Sequence, residues 1–149
     1  MLSPGIATID PAMVVTTVGK GIVGGFADGT FINVEYTADF FSKVTGSDGL
    51  TTRIKQNDFS GTITLTLKQS SLSNDFLMSL VILDRQANAG IVPVSIKDLL
   101  GTTKMVTGFA WVRKPPASVY SKNVENREWI LDCATLRMYV GGNVQIPVV

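Results

Sequence analysis

Gly61-Thr62-Ile63-Thr64-Leu65-Thr66-Leu67-Lys68 alternates small or apolar residues with hydroxyl or charged ones along its whole length. Successive side chains of a strand point to opposite faces, so a period of two predicts a strand with one buried face. Ile63, Leu65 and Leu67 then face a core, while Thr62, Thr64, Thr66 and Lys68 face away from it. Immediately upstream, residues 52–68 read as a hairpin, or as one strand bulged at Asn57–Gly61. Further back, Phe31–Thr37 shows the same alternation behind an Asp28-Gly29 turn pair. Met13–Val18 is a β-branched run closed by the glycines at 19, 21, 24 and 25, which mark a turn or bulged crossing.

The periodicity changes once on the downstream side. Phe76, Leu77, Leu80, Val81, Leu83 and Ala87 recur at helical spacing. Ser71 or Ser73 can cap this helix, Asp75 suits its first turn, and Gly90 can stop it. Beyond it, Ile91–Lys97 reads as a strand whose Pro93 belongs at a sheet edge or a strand start. Asp98–Gly101 turns the chain into a strand at Lys104–Lys114, which Pro115-Pro116 ends. After a polar stretch, Arg127–Val140 reads as one long strand with apolar residues on both faces: Trp129, Leu131 and Cys133 on one, Ile130, Ala134, Leu136 and Met138 on the other. Such a strand needs cover on both sides.

Three segments lie outside these elements. Residues 1–12 hold Pro4, Gly5 and Pro11 and read as an extended arm. Residues 38–51 read as a long loop containing Phe40, Phe41 and an Asp48-Gly49 turn pair. Residues 143–149 form an apolar tail without a charged side chain. The sum is one mainly β domain over residues 1–149, a two-sheet β-sandwich or half-open barrel of roughly eight short strands with one α-helix.

Composition narrows the function. Charged residues make up 17% of the 149-residue chain, well below the usual figure of about 25%. A surface that poor in charge suits a protein partly covered by other subunits. The net charge of +1 supplies no strong field for binding nucleic acid or anionic lipid. The N-terminal sequence lacks the basic and apolar pattern of a signal peptide, and no apolar run is long enough to span a bilayer, so the expectation is cytosolic synthesis without a membrane partner.

Chemical motifs are sparse. The chain has no histidine, which removes the commonest general base and the commonest metal ligand. Its single cysteine, Cys133, lies in an apolar run and reads as a small core residue. No phosphate-binding glycine loop is present, and the glycines at 19–25 do not open a helix. The carboxylates show no spacing that singles out a dyad, and the basic residues do not interleave with aromatics as a stacking platform for single strands would. Trp111 and Trp129 fall inside strands, where packing is their default role. The reading is therefore a non-enzymatic protein with no catalytic residue, cofactor or metal.

The segment Gln56-Asn-Asp-Phe-Ser-Gly-Thr-Ile-Thr-Leu-Thr-Leu-Lys-Gln-Ser-Ser-Leu-Ser-Asn-Asp-Phe-Leu77 resembles the tail tube proteins of contractile-tailed bacteriophages. So do Pro93–Asp98, the Gly-Thr-Thr turn at 101–103, Gly108–Val112, Asn126–Leu131 and the turn at 27–32. The resemblance covers about residues 26–142 and rests on element order and short runs. It implies a tube-like fold forming hexameric rings that stack into a hollow virion tail conduit for genome ejection, made in the host bacterial cytoplasm. It also implies sheath, tape-measure and baseplate or terminator proteins as partners, with DNA in transient passage.

Two assignments follow for such a tube. A wall that must pass DNA without holding it should carry hydroxyls and balanced charge. Asn33, Glu35, Thr62, Thr64, Thr66 and Lys68 are the candidates for it, the alternative being an ordinary solvent-facing sheet surface. Contacts between rings fall to the arm, the 38–51 loop and the tail, with Phe40, Phe41, Lys43, Val144, Ile146 and Val148 as candidate residues. Two competing functions stay open: the ring protein of a type VI secretion system or phage-like bacteriocin, and a monomeric β-sandwich module that binds carbohydrate or peptide.

Overall fold

The computed structural model describes residues 6–142 and 144–145. In chain order the strands are β1 (Ile6–Ala7), β2 (Val14–Val18), β3 (Gly21–Val23), β4 (Ile32–Tyr36), β5 (Phe41–Thr45), β6 (Thr51–Lys55) and β7 (Gly61–Lys68). The helix α1 (Ser73–Ala87) follows, and then β8 (Val92–Asp98), β9 (Lys104–Lys114), β10 (Asn126–Cys133), β11 (Leu136–Tyr139) and β12 (Val144–Gln145). Eight of these strands form one sheet in the order β3-β2-β8-β9-β10-β7-β4, with β11 beside β9. All of its pairings are antiparallel. The pairs β1–β12 and β5–β6 stand apart from it.

The large sheet wraps round a single core without closing into a barrel. Ile63, Leu65 and Leu67 of β7 are almost fully buried and cluster with Val18, Val94, Ile96, Ala110, Trp129, Leu131 and Leu136 from the other strands. At one corner the two wings meet: the chain leaving β3 passes Gly24-Gly25, and Phe26 bridges Leu67. Helix α1 packs against this core through Leu77, Leu80, Phe76 and Val81. Gly21 is needed beneath it, because a Cβ there would lie 2.7 Å from the Phe76 ring. Two polar groups are carried inward and satisfied together: the Trp129 Nε1–H donates to Asn74 Oδ1 at 2.8 Å. The Asn74 amide nitrogen in turn donates to the carbonyls of Lys68 and Ser71, both at 3.0 Å.

The structure corrects several readings of the sequence. Residues 38–51 are not a loop, because Phe41–Thr45 pairs with Thr51–Lys55 as a hairpin whose tip holds the Asp48-Gly49 turn. The segment 52–68 is not one hairpin or bulged strand either: β6 pairs only with β5, whereas β7 pairs with β4 and β10. The long strand at 127–140 breaks at Ala134-Thr135, opposite Gly108-Phe109 of β9. Ala134-Thr135 and the facing Gly108-Phe109 leave the alternation together, so Leu136 joins Cys133 and Thr107 joins Ala110 in the core. Pro93 takes the second of its two expected placements, at the start of β8, which is an interior strand and not an edge, and it sits at an irregularity in the β8–β9 register. The helix ends at a left-handed Asn88 rather than at Gly90. Ser71 assists its start by accepting from the Ser73 N–H at 3.2 Å, although no side chain of the N-cap residue Leu72 caps it. Leu83 and Ala87 of the helical pattern are exposed.

Candidate assembly surface

The six residues proposed for a polar wall share one outward sheet face. Asn33 pairs with Thr64 and Glu35 with Thr62 across β4 and β7. Across β7 and β10, Thr62 meets Asp132, Thr64 meets Ile130, Thr66 meets Glu128 and Lys68 meets Asn126. Alternation accounts for this, since the intervening Ile63, Leu65, Leu67, Trp129 and Leu131 all point into the core. The face continues onto β9, where Trp111 stands opposite Asp132 and Lys114 opposite Ile130. Arg113 clamps Asp132 through its Nε at 3.1 Å and a second guanidinium nitrogen at 2.6 Å. That bidentate hydrogen bond and the carboxylate charge raise the Arg113 pKa. Glu35, Glu128 and Asp132 thus share the face with Lys68, Arg113 and Lys114, so its formal charge sums to zero.

A second surface is the β5–β6 hairpin, which leaves the sheet at the Tyr36–Gly61 end of the β4–β7 ladder. Its base is aromatic: Phe40 packs 4.5 Å from Tyr36 and 5.9 Å from Phe59, ring centre to ring centre. The Gln56 N–H closes it by donating to the Phe40 carbonyl at 2.8 Å. Every residue of the two strands is exposed. The register sorts them into two faces. One carries Phe41, Lys43, Arg53 and Lys55, with the Arg53 guanidinium 3.8 Å from the Phe41 ring centre. The other carries Val44 and Ile54, 57% and 42% exposed, beside Ser42 and Thr52. Apolar strand residues left this wet make the hairpin a candidate contact surface.

Other candidate contact residues divide. Phe40, Phe41 and Lys43 lie on the hairpin or its base. Val144 belongs to β12, whose two residues pair with Ile6–Ala7 of the same chain. Ile146 and Val148 lie outside the described residues.

Sequence reading missed one surface. Residues 115–125, taken as the end of a strand and a polar stretch, expose Val119, Tyr120 and Val124, at 54%, 73% and 69%. The segment is held in shape at its far end: the Ser121 hydroxyl donates to Glu125 Oε1 at 2.6 Å, and Gln69 N–H donates to the Glu125 carbonyl at 3.1 Å. It meets the sheet at the Lys68–Asn126 end of the β7–β10 ladder, opposite the end that bears the hairpin. Isolated apolar residues between prolines and serines carry no period, so no sequence pattern announces such a surface.

Cys133 lies inside the core beside Leu131 and Leu136. It is 2% exposed, and burial pushes its thiol up to about 11, leaving it protonated at neutral pH.

With this geometry in view, the comparisons with known proteins are specific. The family model described as the bacteriophage PhiTE tail tube protein matches residues 7–141. A structural protein of Pseudomonas phage KPP10, ORF10, is 28% identical over 124 residues, covering 82% of this chain and 72% of its own. Among solved structures, the tube-terminating cap of the anti-feeding prophage superposes with a TM-score of 0.60 at 10% identity, covering 89% of this chain and 91% of that one. The sheath/tube terminator of the extracellular contractile injection system PVC gives 0.58 at 14% identity, with 89% and 97% covered. The chain matched in the sheath-tube complex of the same system gives 0.57 at 14%, with 89% and 91% covered. At such identities these structures share the fold with this chain.

Proposed function

This chain belongs to the bacteriophage PhiTE tail tube protein family, and from that premise we propose that it is the repeating subunit of a phage tail tube, assembled as stacked hexameric rings through which the genome passes into the host. It is a structural protein and has no catalytic role in this reading. The observation that carries the proposal is the pairing of a charge-balanced, hydroxyl-rich sheet face with exposed assembly surfaces at both ends of that same sheet.

Each ring needs a bore that lets DNA slide. Phosphate–cation contacts each add to a salt-dependent affinity. A wall built from Asn33, Glu35, Thr62, Thr64, Thr66 and Lys68 has no excess of cations to hold a phosphate chain, and its threonines keep it wetted. Rings also need contacts above and below. The β5–β6 hairpin at one pole and the 115–125 segment at the other supply two different apolar patches, which is the head-to-tail geometry that extends a stack. In this arrangement Phe41, Lys43, Val44 and Ile54 of one ring cover Val119, Tyr120 and Val124 of the next, with the C-terminal tail as a further contact.

The partners follow from position. A sheath surrounds the tube, a tape-measure protein and then DNA occupy it, and baseplate and terminator proteins close its ends; the tube resides in the virion tail after synthesis in the bacterial cytoplasm. A phage relative covering 82% of the chain favours the virus over a secretion or bacteriocin tube. Negative-stain microscopy of the purified protein tests the proposal. Six-fold rings or tubes with an open bore are the expected result, and a monomer that persists at high concentration overturns it.

A further inference from the structure

Two regions of the large sheet's outward side differ in charge. Where β4, β7 and β10 balance their charges, the face of β8, β9 and β11 does not. Lys97 stands directly opposite Lys104, and Tyr139 flanks Lys104 on its other side. Arg137 lies two pairs further along, on the same face and opposite Val106. These side chains point outward, because Val94, Ile96 and Thr107 between them are buried in the core. Like charges directly opposite each other on a sheet destabilise it, so the isolated subunit gains nothing from this arrangement. Asp98, adjacent in sequence, is turned away: its Oδ1 accepts from the Leu100 N–H at 3.0 Å, and it lines a groove on the inner side with Val14 and Met105. Among the described residues the one ion pair is Arg113–Asp132, so none of the three cations has a carboxylate partner. Between Lys104, Val106, Arg137, Met138 and Tyr139 lies an open, largely carbon-lined hollow of about 360 Å³.

We infer that this cationic face is the docking surface for a carboxylate-bearing segment of a different protein, one that lies against the outside of the tube. The direction rests on the tube reading, because a face that attracts phosphate belongs away from the bore. The chemistry rests on the charges: three unpaired cations beside a tyrosine and aliphatic carbon suit acidic side chains mounted on an apolar segment. The balanced face of a second copy is a poorer fit, since its Glu35, Glu128 and Asp132 already lie among an equal number of cations; the coupling products distinguish the remaining carboxylates of a copy from those of a different protein.

Zero-length carbodiimide coupling of intact particles, followed by digestion and mass spectrometry, tests the inference. The expected products are amides joining Lys97 or Lys104 to an Asp or Glu of another protein. Two variants supply a second readout, the amount of outer protein that sediments with the tubes. K97R/K104R keeps the charge and should retain that protein, whereas K97Q/K104Q should assemble tubes that lose about tenfold or more of it. Coupling of these lysines only to copies of this chain overturns the inference. So does K97Q/K104Q holding the outer protein as wild type does, or wild-type protein shifting double-stranded DNA in a gel through these two lysines. Particles without any tube sink the tube reading and this docking surface with it; tubes lacking the crosslink sink the docking surface alone.

Discussion

Asn74 and Trp129 show how a single pair of residues ties the helix to the sheet. The indole N–H and the amide are both buried, and each has its hydrogen bond within the protein. Removing one partner strands the other, at a cost of about 1–3 kcal/mol. Asn74→Ala should therefore lower the unfolding free energy by that amount, and Trp129→Phe by at least as much, because it strands the Asn74 carbonyl oxygen and leaves part of the buried indole space unfilled. Denaturant melts of the two variants check this. Cys133 offers a second residue-scale prediction. Its folded-state value of about 11 exceeds the ordinary 9.0, so the folded protein keeps the thiol proton while the unfolded chain loses it. Stability from this group is complete below pH 9 and falls as pH rises toward 11, by on the order of 2–3 kcal/mol. Cys133→Ala should remove that portion of the alkaline slope in thermal melts recorded from pH 8 to 11.

At the scale of the element, the hairpin β5–β6 separates folding from assembly. It pairs only with itself and touches the body through the rings at its base. Val44→Asp and Ile54→Asp change exposed positions, so each should alter the unfolding free energy by no more than about 0.5 kcal/mol. Tube length seen by microscopy should nevertheless collapse in both, because a charge would then be buried between rings. Equal tube lengths in the variants and the wild type would remove the hairpin from the contact.

At the scale of the whole molecule, the outward side of the large sheet carries a charge-balanced region on β4, β7 and β10 and a cationic one on β8, β9 and β11, and the proposed tube assigns the first to its bore. Glu35→Lys with Glu128→Lys keeps the core untouched, since both residues are exposed, and leaves the wall strongly basic. Assembled variant tubes should retain double-stranded DNA at 50 mM salt and release it steeply as salt rises, while wild-type tubes should not retain it. A gel-shift series in salt reads the outcome. Loss of DNA passage without retention would place these residues elsewhere than in the bore.

What the amino-acid order determined by itself was everything governed by a local period. The alternation at 61–68 specified both the strand and its buried face, and helical spacing located α1 to within a few residues. The absence of histidine and the low charge density pointed toward assembly rather than chemistry. Tertiary structure alone decided which strands pair. Thr51–Lys55 has no pattern that distinguishes pairing backward to β5 from pairing forward to β7, because a ladder is chosen by the partner's register and not by the strand's own side chains. The reversal at Ala134-Thr135, which buries Leu136, is of the same kind: the facing strand shifts phase with it at Gly108-Phe109, and only the packing of the finished core shows which side each then faces.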